Sequence, residues 1–160
     1  MKLLSEILYK TRIEEVIGST HTAISSITFD SRKVKKDTLF VATRGTATDG
    51  HKFIEMAIEA GAAAIVCEEV PEVMRENITY VKVANSTHAL GFMACNYYDN
   101  PSGKLKLVGV TGTNGKTTTV TLLFNLFRAL GNNVGLLSTV QNKINNTVIP
   151  ASHTTPDALA

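Results

Sequence analysis

A chain of 160 residues holds one ordinary domain, or one small domain and the opening of a second. Hydrophobic residues at 44% and charged residues at 19% exclude a disordered polymer and fit a folding globular chain. A formal net charge of +2 without a long basic run gives no nucleic-acid surface, and no apolar stretch approaches the roughly 20 residues of a membrane span.

In chain order, the opening MKLLSEILYK carries Glu6 where a signal peptide would need an apolar core, and it reads as an amphipathic first helix. Short apolar or β-branched runs at 24–29, 39–42, 63–67, 78–83, 105–110 and 133–137 predict strands. Helices are predicted between them. One spans 51–60, with Phe53, Ile54, Ala57 and Ile58 on one face and Gly61 as its stop; another runs from Ser86, as N-cap, to about Tyr98. A third starts near Lys116, with Val120, Leu123, Phe124, Phe127 and Leu130 at helical spacing.

The alternation of strand and helix predicts an α/β fold. Asp99, Asn100, Pro101, Ser102 and Gly103 form the clearest turn-rich break, so domains are expected at 1–100 and 101–160. The second segment is too short to cover its own apolar surface and is expected to continue in a longer chain. Arg32, Lys33, Lys35 and Lys36 read as a solvated loop. Cys67 and Cys95 have neither metal nor disulfide spacing, which fits a reducing cytoplasm. His21, His51, His88 and His153 read as ordinary surface side chains and stay outside the catalytic set.

The strongest chemical signal is LKLVGVTGTNGKTTT at 105–119, a strand, a glycine-rich loop and a helix start. Free backbone N–H groups and the positive dipole end at a helix N-terminus favour an anion. Gly112 and Gly115 let the backbone curl around phosphate oxygens; Thr113, Asn114 and Thr118 complete the loop. Lys116 is expected to reach the β/γ-phosphates of ATP and the Thr117 hydroxyl to ligate Mg²⁺, making these two the candidate catalytic residues. The strict phosphate-loop pattern would place glycine at Val110; here Gly109 stands one position earlier.

The variant GTNGKTT at 112–118 resembles the loop of the Mur ligases, the ATP-dependent amide-forming enzymes of peptidoglycan synthesis, and of the related folylpolyglutamate synthetases. The FDSR of 29–32, the DTLFVATRGTATDGHKF of 37–53 and the alanine-rich stretch ending in Ile65 and Val66 resemble the Mur ligases alone. Within that family, GLLSTVQNKINNTVIPASHTTPD at 135–157 is similar to the enzymes that add the third residue, in which a TTP motif follows the second strand of the ATP domain.

The resemblance implies a small amino-terminal α/β UDP-substrate domain followed by the beginning of a P-loop-type parallel-sheet ATP-binding domain. It implies that Phe29 and Ser31 lie near uridine, that Thr46, Ala47 and Thr48 complete that pocket, and that Thr154 and Thr155 contact the muramoyl peptide. On spacing alone, Asp30, Ser31 and Arg32 read first as a strand-end turn and the loop at 46–50 as a mere connection, while Asp157 is either a helix cap or an acid near Mg²⁺. The implied reaction activates the γ-carboxylate of UDP-N-acetylmuramoyl-L-alanyl-D-glutamate as an acyl phosphate, which the amine of diaminopimelate, or of lysine, then attacks. The protein is expected to be a cytoplasmic monomer, with no nucleic-acid or membrane partner. An acidic magnesium ligand, a carbamylated lysine and an amino-acid-binding domain would lie after Ala160, so the 160-residue chain alone is not expected to turn over. The alternatives are a terminal-dipeptide-adding Mur ligase, another P-loop ATPase or kinase, and a non-catalytic nucleotide-binding module.

Overall fold

Runs of β-branched and small apolar residues build the main sheet. The computed structural model describes residues 1–45, 48–150 and 158–159, and the chain falls into two units, Met1–Leu105 and Lys106–Ala160.

The first unit contains β1 (Lys2–Leu3), α1 (Leu4–Ile7), β2 (Ile13–Ile17), β3 (Ala23–Ile24), β4 (Ser26–Thr28), β5 (Thr38–Val41), α2 (Ile54–Glu59), β6 (Ala62–Cys67), β7 (Thr79–Val83) and α3 (Ser86–Tyr97). Its five-stranded sheet has the order β2-β7-β6-β5-β4, with β4 to β7 parallel and β2 antiparallel at the edge. In register across the sheet, Phe40, Ile65 and Tyr80 form one row, buried under Ile54 and Ala57 of α2. The alternate residues Leu39, Val41, Ala64, Val66, Val81 and Val83 are equally buried on the opposite face. Both faces being dry explains why these strands read as continuous apolar runs. The remaining buried apolar side chains of this unit include Leu4 and Ile7 of α1 and Leu90 and Met93 of α3, two helices that pack on each other. Buried Tyr80 keeps its hydroxyl satisfied by accepting the Arg75 N–H at 3.0 Å.

Several predicted elements change shape. The first helix is a single turn, with Glu6 closing it by accepting the Leu3 N–H at 3.1 Å. The strand expected at 24–29 is split at Ser25, because β3 pairs with β1 whereas β4 pairs with β5. The helix expected at 51–60 opens as a 3-10 turn, Gly50–Phe53. The cap of α3 is Asn85 rather than Ser86: its side chain accepts the His88 N–H at 2.7 Å.

The second unit contains α4 (Lys116–Ala129), β8 (Gly135–Leu136), β9 (Gln141–Ile144) and β10 (Thr147–Pro150), the three strands forming an antiparallel sheet in the order β10-β9-β8. The helix ends in a Schellman motif. Gly131, at φ +82°, donates to the Arg128 carbonyl, and the Asn132 N–H reaches the Phe127 carbonyl, each at 3.0 Å. Arg128 ties this end to the β9–β10 turn through Asn145 and Asn146. The strand expected at 105–110 does not form. A strand exists only through a paired ladder, and no described strand pairs with this segment. Leu107 and Val108 are consequently exposed, as are Leu122, Leu126 and Leu130 of α4; Phe124 and Leu136 are the buried apolar pair among the described residues of this unit.

This contrast in burial has a direct consequence for stability. Ile65→Ala should cost about 2–5 kcal/mol, whereas Leu107→Ala should change stability by no more than about 0.5 kcal/mol; urea unfolding followed by circular dichroism reads both.

Candidate functional site

In an open parallel sheet, ligand-binding loops gather beyond the carboxyl ends of the strands. Here the loops after β4, β5, β6 and β7 bring Asp30, residues 43–45 and 48–51, Glu68 and Ser86 to one edge of the first unit.

The loop after β4 begins Phe29-Asp30-Ser31. Asp30 caps the 3-10 turn Ser31–Lys33 by accepting the Arg32 N–H at 3.1 Å. It also receives the Arg32 guanidinium on both oxygens, at 2.9 and 2.8 Å. That side-chain pairing, reinforced by the backbone bond, holds the Asp30 carboxyl down at about 2, below its ordinary 3.8. Ser31 is thereby fixed at the start of the turn, beside a partly exposed Phe29 ring.

The loop after β5 is a tight hairpin. Gly50 N–H donates to the Thr43 carbonyl at 2.8 Å, Arg44 and Asp49 form a bridge, and Gly45 N–H donates to the Thr48 carbonyl at 3.1 Å. A Cβ at Gly50 would stand 2.7 Å from the Thr43 carbonyl oxygen and 2.9 Å from its nitrogen, so only glycine closes this base. His51 joins the hairpin to the end of β6. Its Nδ1 lies 2.6 Å from Asp49 Oδ1, and its Nε2 accepts the N–H groups of Glu68 and Glu69 at 2.9 and 3.3 Å. Two N–H donors on Nε2 leave the proton on Nδ1.

Glu68 in turn accepts the Ser86 N–H at 2.9 Å and its hydroxyl at 2.8 Å, linking β6 to the start of α3. Burial opposes the charge on Glu68, but the Ser86 bonds and then Arg44 outweigh it and keep the carboxyl below its usual range. Arg44 faces Glu68 at 3.4 Å and Asp49 at 3.9 Å, and also pairs with Glu69.

In the second unit, the loop before α4 turns through Gly112 at φ +149° and Gly115 at φ +79°, conformations that side chains rarely adopt. Gly115 is the N-cap residue, and the first intrahelical bond runs from the Thr119 N–H to its carbonyl at 2.9 Å. The N–H groups of the first turn, from Lys116 onward, therefore open toward the loop. Lys116 folds its ammonium back over the loop, donating to the carbonyls of Gly112 and Thr113. Residues 112–116 are exposed and Thr117 is half-buried. This is a cationic, N–H-rich loop suited to a polyphosphate. No cluster of three or more His, Cys, Asp or Glu able to hold a metal occurs among the described residues, so Thr117 contributes a lone hydroxyl.

Of the residues expected at the site, the structure places Phe29, Ser31 and Thr48 on loops that leave adjacent parallel strands, and Gly112 to Thr118 on one loop and helix start. Thr46, Ala47, Thr154 and Thr155 lie outside the described residues, as do His153 and Asp157. Sequence reasoning missed Arg44, Glu68 and Ser86, and it set aside His51, whose side chain is only 13% exposed. The available signal was Asp49 two positions before the histidine across a glycine. Buried Cys67 has its thiol pushed up to about 11 by desolvation, which leaves it protonated and inert.

Two family models match the chain: the Mur ligase family, catalytic domain, over residues 23–98, and the Mur ligase middle domain over residues 110–160. A UDP-N-acetylmuramoyl-L-alanyl-D-glutamate--2,6-diaminopimelate ligase of Cytophaga hutchinsonii is 54% identical over 158 residues, 98% of this chain and 32% of the relative. The protein of the same name from Bacteroides fragilis is 51% identical over 156 residues, again 98% and 32%. The chain thus spans about a third of the length of these curated relatives. A solved UDP-N-acetylmuramoyl-L-alanyl-D-glutamate--2,6-diaminopimelate ligase superposes with a TM-score of 0.69 at 25% identity, covering 99% of this chain and 31% of that one. The UDP-N-acetylmuramoylalanyl-D-glutamyl-2,6-diaminopimelate--D-alanyl-D-alanyl ligase of Acinetobacter baumannii gives 0.58 at 25% identity, over 80% and 28%.

The Asp30–Arg32 pair yields a pH prediction. Because the folded carboxyl titrates below its ordinary 3.8, the pair's contribution is present above that pH and is lost as pH falls toward about 2. Arg32→Ala should raise the Asp30 titration toward the ordinary value in a carbon-13 NMR pH series, while leaving the other carboxyls unmoved.

Proposed function

Because the chain belongs to the Mur ligase family, we propose that it contributes the UDP-substrate unit and the phosphate-binding loop of an ATP-dependent ligase that joins 2,6-diaminopimelate to UDP-N-acetylmuramoyl-L-alanyl-D-glutamate. The observation that carries this reading is the loop at 112–118, two positive-φ glycines leading into a helix N-terminus with a lysine folded over it. It stands in one chain with a parallel α/β unit whose loops gather at the strand ends. The names of the similar curated proteins favour diaminopimelate over lysine, and third-residue over terminal-dipeptide addition.

In this reading Phe29 and Ser31, with the hairpin after β5, hold the uridine end of the substrate, and Thr46, Ala47, Thr48, Thr154 and Thr155 complete its contacts. The backbone N–H groups of Gly112 to Thr118 and the Lys116 ammonium bind the phosphates of ATP. Catalysis of phosphoryl transfer is then largely positioning and charge compensation. Lys116 leaves the loop carbonyls and offsets charge on the transferred group, while the helix dipole and the glycine N–H groups act without reorganising. Thr117 is the residue that would hold Mg²⁺, which supplies further charge neutralisation when bound. The γ-carboxylate of D-glutamate takes the phosphoryl group, and the incoming amine displaces phosphate to form the amide. No described helix is long and apolar enough to cross a membrane; work in the cytoplasm, where ATP is supplied, belongs to the same proposal.

Calorimetry of the 160-residue chain with magnesium tests it, using UDP-N-acetylmuramoyl-L-alanyl-D-glutamate, UDP alone and ATP as separate titrants. Ser31→Ala should weaken both uridine compounds by roughly three- to tenfold, the effect of one hydrogen bond. Lys116→Ala should weaken ATP alone by about ten- to a hundredfold, the effect of a charged donor. ATP binding that needs Lys116, without any response to either uridine compound, would replace the ligase reading by a generic nucleotide-binding one.

A further inference from the structure

We infer that His51 is a positioning residue for the uridine pocket: a neutral ring that clamps the hairpin after β5 to the end of β6. The inference rests on the proposed placement of the uridine end of the substrate at these loops. Both ring nitrogens are engaged. Nδ1 is bound to Asp49, within the hairpin, and Nε2 to the N–H groups of Glu68 and Glu69, on the neighbouring strand end. Asp49 uses the same oxygen to accept the His51 N–H at 3.0 Å, so one carboxylate fixes both the backbone turn and the ring.

Three further contacts make the clamp stiff. Gly50 presses its backbone against Thr43 where no side chain fits. Arg44 reaches Asp49, Glu68 and Glu69 from the first arm of the hairpin. Glu68 is anchored to Ser86 at the start of α3. The hairpin base, the end of β6 and the first turn of α3 are therefore joined by a continuous set of hydrogen bonds and ion pairs. An apolar residue at 51 could fill the volume but would leave the Glu68 N–H without its acceptor and Asp49 without its ring donor. A ring protonated at Nε2 would turn that nitrogen's proton against two N–H donors.

Because the ring is not placed against the substrate, its loss should act through pocket geometry. Glutamine can present a side-chain oxygen near the position of Nε2, and alanine cannot. The test uses the 160-residue chain as wild type, His51→Ala and His51→Gln, with nitrogen-15 NMR of the ring, amide exchange at Glu68 and Glu69, and calorimetry with UDP and with ATP. The expected results are a ring protonated on Nδ1 alone at neutral pH and slow exchange at Glu68. His51→Ala should bind UDP about tenfold more weakly with ATP affinity unchanged, and His51→Gln should recover most of that loss.

Unchanged UDP affinity in His51→Ala would overturn the inference, as would a ring protonated on Nε2 or equal losses for UDP and ATP. Failure of His51→Gln to recover binding while its circular dichroism stays native would also overturn it. If wild type binds no UDP, the uridine reading itself fails and the positioning role falls with it; the ring tautomer and the Glu68 exchange then separate that failure from an absent clamp.

Discussion

Parallel pairing of β4 through β7 is the constraint on which the first unit depends. It points four carboxyl ends the same way, and so it brings Asp30, Arg44, His51, Glu68 and Ser86 to one edge although they are spread along the chain. The row Phe40, Ile65 and Tyr80 sets that register from below by burying apolar surface against α2. Polar bonds do the rest at the edge: the loops after β5, β6 and β7 are tied to one another, and the loop after β4 is closed by its own Asp30–Arg32 pair. A site built this way inherits the rigidity of the sheet while its recognition residues stay on loops.

The second unit works by a different device. Its chemistry lies in the ends of backbone groups, the N–H donors that a helix cannot satisfy at its start, and the two glycines shape the loop that presents them. The Schellman motif and Arg128 secure the opposite end of α4, leaving the first turn as its chemically open end. Little apolar surface is buried among the described residues here, since Phe124 and Leu136 are buried while Leu107, Leu122 and Leu130 stay exposed. The loop's conformation accordingly rests on local backbone geometry more than on a core.

The sequence made some of this legible for clear reasons. The strands at 39–42, 63–67 and 78–83 announce themselves because residues buried on both faces must be apolar throughout. The helix at 116 is legible from its period and its glycine loop. β2 escaped because an edge strand reading Ile-Glu-Glu-Val-Ile carries charge where alternation is sought. The β9–β10 hairpin escaped because its first strand, Gln141–Ile144, is mostly polar. The run at 105–110 has the composition of a strand but no described partner, and composition cannot supply a ladder. In the candidate site, glycines that need positive φ leave a motif, so the loop at 112–118 was readable as a turn into a helix. His51 was not: a single histidine has no period, and its importance comes from Glu68 and Glu69, which only the fold places beside it. The threonines at 46, 154 and 155 lie outside the described residues and stay as family-derived expectations.

The proposed function requires one chain to carry two recognition surfaces, one for uridine and one for the phosphates of ATP. Backbone nitrogen-15 chemical-shift mapping of the 160-residue chain, titrated with UDP and with ATP in separate experiments, distinguishes the two. UDP should move amides at 28–33 and 43–51 alone, and ATP those at 109–119 alone. Both nucleotides moving the same amides, or UDP moving only those at 109–119, would contradict the proposed function.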